Sequence, residues 1–184
     1  MQPKFINVLM NRYNKMMKNI SLVMCALAFS FSANAMEAPR HIGDYGDWAA
    51  YVYKENGKNV CYMASTPKRD EGRYTQRGDI YAIVTHRPAE KSFDVVNFVA
   101  GYNYKSEAKA TVKIGKETFS LYTSGDKAWT FTLQDDKKLV DAMKRGERMI
   151  VDGVSSRGTS TKDTYSLRGF MRAYKAISAK CGKK

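Results

Sequence analysis

A mainly β fold, a sandwich or barrel of about nine short strands with two short helices, is what this 184-residue sequence predicts. Three observations carry that expectation. Short apolar and aromatic runs recur between turns containing Gly, Asn and Asp; no internal repeat or low-complexity linker interrupts them; and only two segments change to a helical period.

The elements follow in chain order. Trp48–Tyr53 is aromatic and β-branched, Glu55–Lys58 holds an Asn56-Gly57 turn, and Val60–Ala64 returns, which is the strongest short-range signal for a hairpin. A polar, charged loop is expected over Thr66–Gly78. Strand-like runs then fall at Ile80–Thr85, Phe93–Ala100, Ala110–Ile114, Thr118–Tyr122 and Ala128–Leu133, with tight turns at Gly115-Lys116 and Ser124-Gly125-Asp126. Arg148–Val154 and Thr164–Leu167 complete the set. The first helix, near Asp135–Arg145, opens on Asp135 and Asp136, closes on Lys144 and Arg145, and stops at Gly146, so its charges oppose its dipole at both ends. Leu139, Val140 and Met143 give it one apolar face. The second, about Leu167–Lys180, places Leu167, Phe170, Met171, Tyr174, Ile177 and Cys181 on one side and Arg168, Arg172 and Lys175 on the other.

The start of the chain reads as a removable leader. Lys15 and Lys18 precede an uncharged run, Ile20–Phe31, that closes on Ala33-Asn34-Ala35, the three-part grammar of a secretory signal. That run is well short of the roughly 20 residues of a permanent membrane helix, so cleavage between Ala35 and Met36 is expected, with no membrane anchor left afterwards. Met1–Asn14 is a longer polar lead than such a signal needs, and Met16 or Met17 is the expected true start. Cys25 lies inside the apolar run behind Met24, where lipoprotein processing wants a small residue, so acylation is not expected. Residues 36–184 then form one domain exported through the inner membrane to the periplasm, the outer surface or the medium.

Cleavage removes Lys4, Arg12, Lys15, Lys18 and no acid, which lowers the formal net charge of +13 but leaves the domain basic. A basic balance favours anionic partners and says nothing about fold. The domain keeps two cysteines, Cys61 and Cys181, an even number in an oxidising compartment, and one disulfide is expected. It would close a loop spanning most of the domain and stabilise it by roughly 5 kcal/mol. The competing use, metal ligation with His41 or His86, lacks any close-spaced ligand pair.

Four segments in order, Gly46-Asp47-Trp48, Val60-Cys61, Val84-Thr85-His86-Arg87-Pro88 and Tyr165-Ser166-Leu167-Arg168-Gly169-Phe170 running down to Cys181, resemble the invasion-associated locus B family of bacterial envelope proteins. The resemblance spans nearly the whole exported domain. It implies an immunoglobulin-type β-sandwich, export to the envelope or beyond, and a link to bacterial invasion of host cells. It transfers no catalytic residue. The expected role is therefore a non-enzymatic interaction module whose partner is a host-cell or envelope component, with a structural or homeostatic periplasmic protein as the alternative and an unrecognised hydrolase as a third reading.

Arg77-Gly78-Asp79 spells the tripeptide that integrins bind, which requires an exposed turn; the preferred reading is a loop glycine followed by Asp79 entering a strand. His86, followed by Arg87-Pro88, is expected to face solvent before a turn. Ser155 and Ser156 sit in GVSSRG, which is not the GxSxG elbow, and no Gly-rich phosphate loop exists, so no nucleotide or other cofactor is expected. Trp48, Phe93, Phe98, Phe119, Trp129 and Phe131 read as core aromatics. Lys105, Lys109, Lys113 and Lys116, together with Arg168, Arg172 and Lys175, are candidates for a basic binding surface. No motif points to a glycan.

Overall fold

Tight turns set the sheet. In the computed structural model, which describes residues 38–183, the chain runs β1 Arg40–Tyr45, β2 Trp48–Glu55, β3 Lys58–Ser65, β4 Arg69–Gly72, β5 Tyr81–Arg87, β6 Ser92–Val99, β7 Ala110–Ile114, β8 Glu117–Ser124, β9 Lys127–Trp129, α1 Leu133–Arg145, β10 Arg148–Val154, β11 Ser160–Ser166 and α2 Phe170–Lys180. The expected leader, with its start at Met16 or Met17 and its cleavage between Ala35 and Met36, lies outside the described residues. Asn56 and Gly57 both take positive φ, as the two-residue turn between β2 and β3 demands, and the hairpin pairs Tyr51 with Tyr62 and Val52 with Cys61.

All strand pairs are antiparallel, and the strands hydrogen-bond in the order β1-β2-β3-β5-β6-β9-β8-β7-β10-β11-β4. The sheet doubles back between β9 and β8, so that β1-β2-β3-β5-β6-β9 faces β8-β7-β10-β11-β4. Contacts across the interior fix this layering: Trp48 Nε1 donates to the Ser166 carbonyl at 3.0 Å, and the Phe98 and Tyr165 rings lie 6.4 Å apart. Alternate residues of each strand point inward, with Ala50, Val52, Met63, Val84, Val96 and Phe98 from one layer meeting Val112, Leu121, Met149, Val151 and Tyr165 from the other.

The two helices cover the interior where the second layer does not. Thr132 caps α1 by accepting from Asp135 N, Leu139, Val140 and Met143 are buried, and Asp136 accepts from the Val96 amide at 2.8 Å. That bond supplies a partner to β6 beyond the reach of the short β9. The α2 helix packs on β1, β2 and β3 through Phe170, Ala173, Tyr174 and Ile177.

Among the described residues there are eleven strands rather than about nine. The additions, β1 and β4, are the two ends of the sheet, and β4 lies within the stretch expected as a polar loop: Arg69-Asp70-Glu71-Gly72 becomes a strand by pairing with Thr161–Thr164. Strand β9 is shorter than expected, ending at Trp129, because Thr132 already caps α1. Among the expected core aromatics, Trp48 and Phe98 are buried, whereas Phe131 is 52% exposed and Trp129 stacks on Tyr122 at 5.5 Å. The reason is register: Ala128 takes the inward position of β9, which turns Trp129 to the other face. Met171, expected inward, is exposed, because the buried face of α2 centres on Phe170, Ala173, Tyr174 and Ile177 and Met171 lies about 100° round the helix from Phe170.

Candidate functional site

The β5–β6 hairpin carries a buried polar cluster at each of its ends. At one end, Cys61 pairs in register with His86, and Cys61 and Cys181 are joined by a disulfide with a Cα–Cα distance of 6.0 Å. Both thiols are thereby consumed, which removes them as metal ligands. His86 is wholly buried, not solvent-facing: it continues the inward alternation of Ala82 and Val84, and the rings of Phe93 and Tyr174 box it in at 5.5 Å each. Opposite it the β5–β6 register shifts, and Asp94 takes a left-handed φ of 65°. That bulge aims the Asp94 amide at His86 Nδ1, 3.1 Å away, and leaves the Asp94 carboxylate to Tyr174 Oη at 2.8 Å and to the Lys183 ammonium.

This cluster has the ingredients of a His–Ser pair but the opposite polarity. Because Nδ1 accepts from a backbone N–H, the neutral imidazole carries its proton on Nε2, which donates to Ser178 Oγ at 3.1 Å. A general base must accept from the nucleophile, so this histidine does not activate Ser178. Burial pushes the His86 imidazole down to about 4, opposed by the Asp94 carboxylate. Burial alone would raise the Asp94 carboxyl; Lys183 and Tyr174 outweigh it and hold the group below its usual range.

At the other end, Arg77 explains the integrin-type tripeptide. Its guanidinium makes two bonds to Asp163, 2.7 and 2.6 Å, and its Nε donates to the Ala100 carbonyl at 2.7 Å. Its side chain is 4% exposed, so the display that integrin binding requires does not exist here. Asp79, expected to enter a strand, stays exposed just before β5, and it is the arginine that the fold consumes. Burial raises the Asp163 carboxyl, against the pull of Arg77, and burial likewise opposes the charge on Arg77, where Asp163 outweighs it and holds the guanidinium above its usual range.

Above this ion pair the Arg73–Gly78, Gly101–Asn103 and Ser155–Thr159 loops enclose a pocket of about 490 Å3. Its floor is rigid. The Gly78 amide donates to Gly101, whose φ of 71° places the chains so close that a Cβ there would sit 2.4 Å from the Gly78 oxygen. Tyr102 Oη bonds Thr161 Oγ1 at 2.6 Å, and the Ser155 hydroxyl accepts from the Thr159 amide at 3.1 Å. The Arg77 guanidinium lies 5.5 Å from the Tyr74 ring and 5.0 Å from Tyr102. Besides Arg77, the lining contains Arg73 and Arg157, both exposed, and no carboxylate. Neither arginine has an ion-pair partner among the described residues.

The residues expected to form a basic surface divide between elements. Lys105 and Lys109 precede β7, Lys113 lies on it and Lys116 in the turn after it, while Arg172 and Lys175 are on α2 and Arg168 precedes that helix. Lys113 is paired with Asp152 at 2.8 Å, Lys109 lies over the Phe131 ring at 5.6 Å, and Arg168 is paired with Asp47 at 3.2 Å. The groove lined by Lys113 and Lys116 includes Arg145 and Arg148, and also Glu117 and Glu147, and none of Arg168, Arg172 or Lys175. Arg73 and Arg157 were not among the expected residues. The signal for Arg157 was its place in a Ser156-Arg157-Gly158 turn, whereas Arg73 joins it only through the β4–β11 pairing that the sequence conceals.

The segments quoted for the family resemblance meet in two places. Asp47 N donates to the Arg168 carbonyl at 3.0 Å, the Trp48 and Phe170 rings meet edge to face at 5.0 Å, and Gly169 has a φ of 91° where a Cβ would collide with the Tyr45 carbonyl. Arg168 and Lys68 hold the Asp47 carboxyl far below its usual range. Cys61, His86 and Cys181 form the second meeting point.

Among curated proteins, none matches this chain. The chain is similar to the crystal structure of invasion associated protein B from Bartonella henselae, with a TM-score of 0.54 and 18% identity over 77% of this chain and 97% of that one, a likeness of fold. A family model described as invasion associated locus B (IalB) protein matches residues 48–178, from the Trp48 that anchors the layers to the Ser178 beside His86. The chain therefore belongs to the invasion associated locus B family.

Proposed function

We propose that this chain works outside the cytoplasm as a non-enzymatic interaction domain that holds an anionic partner, from the envelope or from a host cell, through its loop end. The observation that carries this reading is the pairing of a neutralised floor, Arg77 with Asp163, with two unneutralised arginines, Arg73 and Arg157, around one pocket. Like charges gathered without an acid favour whatever anion settles between them.

Export is supported by the leader grammar of Lys15–Ala35, by a Cys61–Cys181 bond of the kind oxidising compartments sustain, and by the family. Among the described residues, no helix is long and apolar enough to cross a membrane. The absence of a catalytic role is supported by the donor polarity of His86 toward Ser178. The link to host-cell invasion rests on the family and on the name of the similar Bartonella protein.

Cell fractionation joined to a host-association assay tests the proposal. The chain is expected in extracytoplasmic fractions, beginning at Met36 and without free thiols. A deletion strain is expected to associate less with host cells or with isolated envelope, restored by the wild-type gene and not by Arg73→Ala/Arg157→Ala. Recovery in the cytoplasm, or association that neither the deletion nor the double substitution alters, would overturn it.

A further inference from the structure

We infer that the loop-end pocket binds a saccharide carrying one acidic group, with Arg73 and Arg157 taking the anion and the neutral polar side chains taking the ring hydroxyls. The inference rests on reading the chain as an interaction domain and names the chemistry of that site.

Charge is the first argument. Arg73 and Arg157 line both the pocket and an adjoining crease formed with Gly72, Gly158, Thr159 and Ser160, and no carboxylate lines either. Two guanidinium groups lining one pocket without a carboxylate raise its positive potential, and their forked donors suit a carboxylate or a phosphoryl group.

The neutral lining is the second. Thr75, Gln76, Asn103, Ser156 and Thr159 carry hydroxyls and amides, groups that both donate and accept, as the vicinal hydroxyls of a sugar require. A bare inorganic anion would use donors alone. Size agrees, since about 490 Å3 falls within the range of small-molecule sites and exceeds what a lone phosphate fills. The floor is already organised: Arg77 is neutralised by Asp163, and Tyr102 is tied to Thr161, so binding does not have to order it.

Calorimetric titration of the purified, disulfide-bonded chain tests this with four probes: glucuronate, glucose 6-phosphate, glucose and inorganic phosphate. The two acidic sugars are expected to bind saturably, more weakly as salt rises, and glucose and phosphate at least about tenfold less well. Whether glucuronate or glucose 6-phosphate binds tighter separates a carboxylated from a phosphorylated source. Arg73→Ala and Arg157→Ala should each lower affinity about tenfold, Arg157→Lys less, and the double substitution should abolish binding. Both arginines are exposed, so thermal unfolding monitors that the variants stay folded. No saturation by either acidic sugar, equal affinity for glucose or for phosphate alone, or indifference to the double substitution would overturn the inference. Because the titration uses purified protein, its failure is distinguishable from failure of the export and association test.

Discussion

Two ion pairs use similar chemistry at opposite ends of the β5–β6 hairpin, Arg77 with Asp163 buried under the loops and Lys183 with Asp94 part-buried where the C-terminal segment meets β6, and their surroundings differ. From Tyr81 to His86 the strand spans about 17 Å at roughly 3.3 Å per residue. At the far end the polar cluster is roofed by α2, boxed by Phe93 and Tyr174, and locked by Cys61–Cys181. At the near end the ion pair lies under an open pocket with two arginines that have no ion-pair partner among the described residues. The same interaction thus closes one end of the molecule and furnishes the floor of a site at the other. The family's segments assemble at fastening points, Asp47–Arg168, Trp48–Phe170 and Cys61–His86–Cys181, and none of them contributes to the pocket.

The largest effect should come from the fastened end. Replacing Cys61 and Cys181 together by alanine frees a crosslink of 120 residues' separation and is expected to cost about 5 kcal/mol, read as a fall in the midpoint of urea unfolding. An unchanged midpoint would mean that α2 is held by packing alone. Next comes the near end: Arg77→Met leaves Asp163 buried without its counter-charge, for an expected loss of about 3–5 kcal/mol, and adding Asp163→Leu should recover much of it. Failure of the double variant to recover would assign the loss to the Ala100 and tyrosine contacts instead.

His86 sharpens the contrast through pH. Its folded value of about 4 lies below the ordinary 6.5, so the unfolded chain binds the proton more readily, and stability is full above 6.5 and falls as pH drops from there toward 4. The loss should approach about 3 kcal/mol across that window, and His86→Phe should flatten the slope while leaving the near end untouched. A slope that persists in His86→Phe would place the titration elsewhere. The smallest effect is expected at the pocket rim, where Arg73→Ala and Arg157→Ala should each change stability by less than about 0.5 kcal/mol. A larger loss would make these arginines structural and remove the distinction between the two ends.

How much of this was written in the sequence depended on range. The β2–β3 hairpin was legible because Asn56-Gly57 lies between its two strands, and α1 because Asp135, Asp136 and Gly146 mark its ends locally, although its Thr132 cap fell within an expected strand. Strand β4 was not, since Arg69-Asp70-Glu71-Gly72 has no apolar residue and becomes a strand only through β11. Burial of His86 was recoverable from its phase with Ala82 and Val84, although Arg87-Pro88 after it read as a turn. Arg77 carried no local sign of its fate, because its partner Asp163 is 86 positions away. The pocket needs three loops brought together by strand order, which composition does not encode.

Amide hydrogen exchange of the disulfide-bonded chain, with and without glucuronate, tests the division between the two ends most directly. Slowed exchange confined to Arg73–Gly78, Gly101–Asn103 and Ser155–Thr159, with Cys61, His86 and α2 equally protected in both states, is the predicted result. Slowing centred on α2 and the disulfide, or none at all in the three loops, would contradict it.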